Sequence, residues 1–96
     1  PILEGTRALI ADGVVPGGSK RNLRHASQVT TFEDAVSEET RLLLADAQTS
    51  GGLLLCVPEA RSEEALRRLV DAGIERAAVI GRLLASEGEQ RIRVQR

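Results

Sequence analysis

The chain has 96 residues, a formal net charge of −1, 42% apolar residues and one aromatic, Phe32. That length suits a single domain over residues 1–96, and the apolar share is too high for disorder. Without Trp, Tyr or Met the core must come from Leu, Val, Ile and Ala. Neither a basic surface nor stacking aromatics are on offer, so nucleic acid is not expected as a partner.

Ile2 to Asp12 carries apolar residues at helical spacing, with Gly13 as its stop. Val14-Val15-Pro16-Gly17-Gly18 reads as a turn, after which Ser19 can cap a short helix reaching Arg24 or Ala26. Val29 to Phe32 is β-branched and short, the pattern of a weak or edge strand. Ser37-Glu38-Glu39 opens a helix that runs to about Ala45, with a cap and two carboxylates at its positive end.

Leu53 to Val57 is a continuous apolar run closed by Pro58, which reads as a central strand buried on both faces. Cys56 lies inside it and is expected to be a packed core thiol. As a lone cysteine it forms no internal disulfide and fits a reducing cytoplasm. Ser62-Glu63-Glu64 starts the clearest helix, with Ala65, Leu66, Leu69 and Val70 on one face and Gly73 as its stop. Arg67, Arg68, Glu63 and Glu64 read as its solvated face, with i,i+4 pairing. Ala77 to Leu84 alternates as a second strand, Gly88 turns the chain, and Gln90 to Val94 is a final strand. The order suits an α+β fold, an α/β sandwich with helices packed on a small mixed sheet. No run approaches the ~20 apolar residues of a membrane helix, no signal peptide is visible, and no membrane partner is expected.

Two segments go beyond this general grammar: Val15-Pro16-Gly17-Gly18-Ser19-Lys20-Arg21-Asn22-Leu23, and Leu44-Ala45-Asp46-Ala47-Gln48-Thr49-Ser50-Gly51-Gly52-Leu53-Leu54. In this order they resemble the C-terminal domain of the selenophosphate synthetases (selenide, water dikinases), within the aminoimidazole-ribotide-synthetase superfamily. Ala77-Ala78-Val79-Ile80-Gly81-Arg82-Leu83 is similar to a strand of the same family. The resemblance implies a partly ferredoxin-like α/β domain that completes a lobe beside an N-terminal domain. It implies a parent enzyme, a cytoplasmic homodimer, that turns selenide, ATP and water into selenophosphate, AMP and phosphate with Mg²⁺. Its reactive Cys or selenocysteine, its Lys and most ATP and Mg²⁺ ligands would lie in the N-terminal domain, none of whose motifs occurs here. No catalytic and no metal-binding residue is therefore expected in this chain, which begins at Pro1 and reads as a piece of something longer. Relatives making other products, of thiamine-phosphate kinase or hydrogenase-maturation type, share the superfamily. A ferredoxin-like interaction module without catalysis is the reading from another class.

The loop Asp46 to Gly52 has two readings. Asp46, Gln48, Thr49, Ser50, Gly51 and Gly52 can face an ATP cleft, where hydroxyls and backbone N–H groups hold anions. Alternatively Asp46 and Thr49 satisfy the preceding helix end, while Gly51 and Gly52 allow positive φ or close backbone approach, and the loop docks domains. It is no P-loop, which needs a Lys after its glycines and then a helix. Gly17 and Gly18 precede a helix N-terminus, a suitable place for an anion or simply a capped turn. Asn22 is placed to bond across to the other loop. His25 has no second His or Cys at metal-ligand spacing and reads as an ordinary helix residue.

Overall fold

The computed structural model describes residues 2–48, 51–85 and 91–95. They group into two compact units, Gly51–Leu84 and a second one drawn from Ile2–Ser50 and Ala85–Arg96. The elements are helices and a two-stranded parallel sheet, a small α+β arrangement.

In the discontinuous unit, α1 (Thr6–Ala11) is shorter than the expected Ile2–Asp12 helix. Gly5 precedes it at φ 80°, a left-handed conformation that breaks the helical path before Thr6. Its end follows the glycine rule. Gly13 stands at φ 79°, its N–H bonds to Ile10 O at 2.9 Å, and the N–H of Val14 bonds to Leu9 O at 2.9 Å. These are the two bonds of a Schellman stop, and only glycine takes that φ without strain. Helix α2 (Gly17–Ala26) begins two residues before the expected cap, so Pro16 holds the cap position and Ser19 lies within the first turn. Proline lacks an N–H and has its φ preset near the helical value, which lets the helix start there.

Strand β1 (Thr30–Phe32) pairs in parallel with β2 (Ile92–Val94), in the register Thr30 to Ile92 and Phe32 to Val94. The N–H of Glu33 extends the ladder to Val94 O. Helix α3 (Glu38–Leu44) has its expected cap: Ser37 Oγ accepts from the N–H of Thr40 at 3.3 Å. Arg41 fastens this helix to the preceding turn, donating from Nε to Val36 O at 2.9 Å and lying 5.0 Å from the centre of the Phe32 ring. Val36 is the only buried apolar side chain among the described residues.

In the unit Gly51–Leu84, a single 3₁₀ turn (Glu59–Arg61) leads into α4 (Ser62–Asp71). Gly73 at φ 87° closes it with a second Schellman stop, Gly73 N–H to Val70 O and Ile74 N–H to Leu69 O. Glu64 holds Arg68 at 2.6 Å, one i,i+4 pair of the expected face, and Arg61 at 3.4 Å. Pairs this exposed contribute little to stability.

Both strands expected in this unit are overturned: neither Leu53–Val57 nor Ala77–Leu84 joins a ladder. Their side chains stay in water, with Leu53 93% and Leu83 85% exposed. An unbroken apolar run specifies burial only where a partner surface exists, and α4 is the only long element this unit supplies. Cys56 is exposed with its segment, against the expected core thiol. A thiol reagent is therefore expected to modify Cys56 in the native chain nearly as fast as in the denatured one. Labelling that is slow until denaturant is added would show that the thiol is covered in solution. The turn expected at Gly88 and the start of the last strand at Gln90 lie outside the described residues. Among the described residues no helix is long and apolar enough to cross a membrane.

Candidate functional site

The first turn of α2 and the segment leaving α3 meet side by side. Ser19 is 1% exposed although it is polar, because both roles of its hydroxyl are filled. Its Oγ donates to Asp46 Oδ1 at 2.6 Å and accepts from the N–H of Ala47 at 3.4 Å. One turn further along α2, Asn22 Nδ2 donates to Ala45 O at 3.2 Å. Asn22 was expected to bond across to the other loop, and its bond reaches the C-cap of α3, one residue before that loop. Gly18 completes the contact: a Cβ there would stand 3.3 Å from Ala47 Cβ, closer than side chains normally approach.

Local bonds shape the segment itself. The N–H of Asp46 returns to Leu43 O at 3.3 Å, which closes the end of α3. The N–H of Gln48 bonds to Asp46 O at 3.1 Å and turns the chain again. A carboxylate hydrogen-bonded within the first turn of α2 also suits the positive end of that helix dipole. Pro16 supplies no side-chain cap, and Asp46 reaches this turn only through the Ser19 hydroxyl. A bond from a neutral donor to a charged acceptor is worth about 1.5–3 kcal/mol.

An open cleft of about 250 Å³ lies in the same unit, lined by Leu9, Ile10, Val14, Pro16 and Leu43, with Asp46 at its polar edge. Arg21 reaches back beside Gly17, where a Cβ would be 3.8 Å from its guanidinium.

Gly18, Asn22 and Asp46 are therefore brought together, with Gly17 next to Gly18 and Gln48 two residues beyond Asp46. Thr49 and Ser50 lie outside the described residues. Gly51 and Gly52 fall in the other unit. Positive φ or a crowded Cα was expected of at least one of Gly51 and Gly52, and Gly52 shows neither, since a Cβ there would meet open space and φ is not left-handed. A close approach occurs at Gly18. Gly51 is exposed, and the bond that sets its φ runs to Ser50, which lies outside the described residues. Among the described residues no three His, Cys, Asp or Glu side chains gather as a metal ion would require.

What the motifs did not reveal is Ser19, whose signal was a serine beside two glycines that also fits an ordinary cap.

No family model matches the chain, and no solved structure matches it. It is 44% identical over 87 residues to a selenide, water dikinase of Myxococcus xanthus, covering 91% of this chain and 24% of that protein. The protein of the same name from Carboxydothermus hydrogenoformans is 38% identical over 89 residues, 93% of this chain and 26% of its own length. That of Burkholderia pseudomallei is 42% identical over 95 residues, 98% of this chain and 26% of its own. The chain thus spans about a quarter of the length of the curated relatives it matches.

Proposed function

From a resemblance to the selenide, water dikinases that runs along nine-tenths of the chain and more, we propose that residues 1–96 form the C-terminal domain of such an enzyme. The parent, a cytoplasmic homodimer, makes selenophosphate from selenide, ATP and water and releases AMP and phosphate. The observation that carries this reading is agreement among several proteins of one name, each over most of this chain and about a quarter of its own length.

In this reading the domain docks beside its own N-terminal domain. Gly17, Gly18, Asn22, Asp46, Gln48, Thr49, Ser50, Gly51 and Gly52 edge the ATP cleft or the docking surface. The reactive residue and the Mg²⁺ ligands belong to the rest of the parent. The carboxylates here fit that division. Glu59 is paired with Arg82, Glu64 with two arginines, and Asp46 is bonded to Ser19. Mg²⁺ is normally held by one or two carboxylates together with nucleotide phosphates, and these residues assemble no such pair at the loop. When bound elsewhere in the parent, Mg²⁺ neutralises phosphate charge during transfer.

The test is AMP release by the full-length protein that carries this chain. Selenide-dependent AMP formation is expected. Phosphorylation of thiamine phosphate without a selenide requirement would move the protein to another branch of the superfamily. Turnover of neither would favour a non-catalytic module.

A further inference from the structure

The serines among the described residues divide by where their hydroxyls point. Ser27 Oγ donates to Leu23 O, Ser62 Oγ donates to Glu59 O, and Ser37 Oγ accepts from the N–H of Thr40, all within three or four residues. Such bonds serve the serine's own helix end. Ser19 does the opposite. Its partners, Asp46 and Ala47, lie 27 and 28 residues away, and none of its bonds serves α2. The cap position of α2 belongs to Pro16, so capping does not account for this hydroxyl. It is also the most deeply buried side chain among the described residues. Simple adhesion between α2 and the segment would be served as well by an apolar contact. A directed hydroxyl–carboxylate bond, backed by Asn22 on Ala45 O, fixes both the position and the orientation of residues 45–47.

We propose that Ser19 is a positioning residue for ATP use, acting through Asp46 to set the path of residues 45–48. This rests on the reading that the loop serves the ATP cleft of a selenophosphate-forming parent. Ser19 itself touches no reacting atom.

The experiment is steady-state AMP release by the full-length protein, with ATP titrated at saturating selenide. Ser19→Ala is expected to raise KM for ATP about 10-fold while kcat stays within about twofold, because a misplaced loop weakens binding. In an Asp46→Ala background, Ser19→Ala is expected to add no more than about twofold, since a residue that acts through another loses its effect when that partner is gone. Asp46→Asn keeps an acceptor at the same place and is expected to recover most of the loss seen in Asp46→Ala. Ser27→Ala removes a hydroxyl that serves only its own helix and is expected to leave KM unchanged.

If Ser19→Ala does not yield folded protein, Ser19→Cys, similar in shape and a weaker hydrogen-bonding group, is expected to shift KM in the same direction. An unchanged KM in the Ser19 variant, or an undiminished effect in the Asp46→Ala background, overturns the proposal. Gln48→Ala separates the two ways to fail. If it raises KM where Ser19→Ala does not, only the role of Ser19 falls. If it too leaves KM unchanged, the ATP-cleft reading falls and takes the proposal with it.

Discussion

Titrated with Mg-ATP, the isolated 96-residue chain is expected to bind no more tightly than a millimolar dissociation constant, about −4 kcal/mol, and to release no AMP when selenide is supplied. Phosphoryl transfer needs phosphate groups held in line and their charge neutralised by a metal. Several carboxylates among the described residues are already engaged. Glu38 and Glu39 lie in the first turn of α3 and Glu63 and Glu64 in that of α4, where carboxylates complement the dipole. Asp46 accepts from Ser19, and Glu59 pairs with Arg82. The base has no better anchor. Phe32 is the only aromatic residue, and Arg41 already stands over its ring. Calorimetry and an AMP assay on the purified chain measure both quantities. Micromolar affinity, or AMP formation that depends on selenide, would mean that the chain carries a catalytic site of its own.

Gly18→Val is expected to lower stability by about 1–3 kcal/mol, the usual cost of forcing extra methyls into an occupied space. The first of its added carbons would stand 3.3 Å from Ala47 Cβ, and the branch would press further into the segment held by Ser19 and Asn22. For a chain of this size each 1 kcal/mol moves the melting temperature by roughly 4–8 °C. Gly52→Val makes the contrast, since a Cβ at Gly52 meets open space, and its change is expected to stay within about 0.5 kcal/mol. Urea unfolding of both variants checks the difference. Equal destabilisation would show that the clearance at Gly18 does not decide the cost.

The helices were legible because their signals are local. Gly13 and Gly73 mark stops that both form complete Schellman motifs, and Ser37 caps α3 as its place before two glutamates suggests. Gly5 was missed as a start signal because the apolar spacing of Ile2 and Leu3 runs straight through it. Ser19 was misread as a cap because a serine after two glycines has the same local signature whichever way its hydroxyl turns. Its true partners depend on the packing of α2 against the end of α3. The strands were least legible. Leu53–Val57 and Ala77–Leu84 carry apolar or alternating patterns, but pairing requires a second strand that no local pattern names. The weaker-looking β1 found one in β2, at a distance that sequence periodicity does not encode. At the candidate site, the two motif segments were read correctly as neighbours through Asn22, while the carboxylate–hydroxyl bond beneath them needed coordinates.

The parallel ladder between Thr30–Phe32 and Ile92–Val94 closes a loop of roughly sixty residues. Closure entropy grows only with the logarithm of length, so doubling that loop would cost just ~0.6 kcal/mol. The stretch Gly51–Leu84 lies in sequence wholly inside it. Insertions or deletions there are therefore cheap at equilibrium, but they act on the rate at which the strands find each other, because distant pairings are slow to form. During synthesis the order is set by the same separation. Helices α1 to α3 leave the ribosome complete, while the ladder waits for residue 92 and closes only after them.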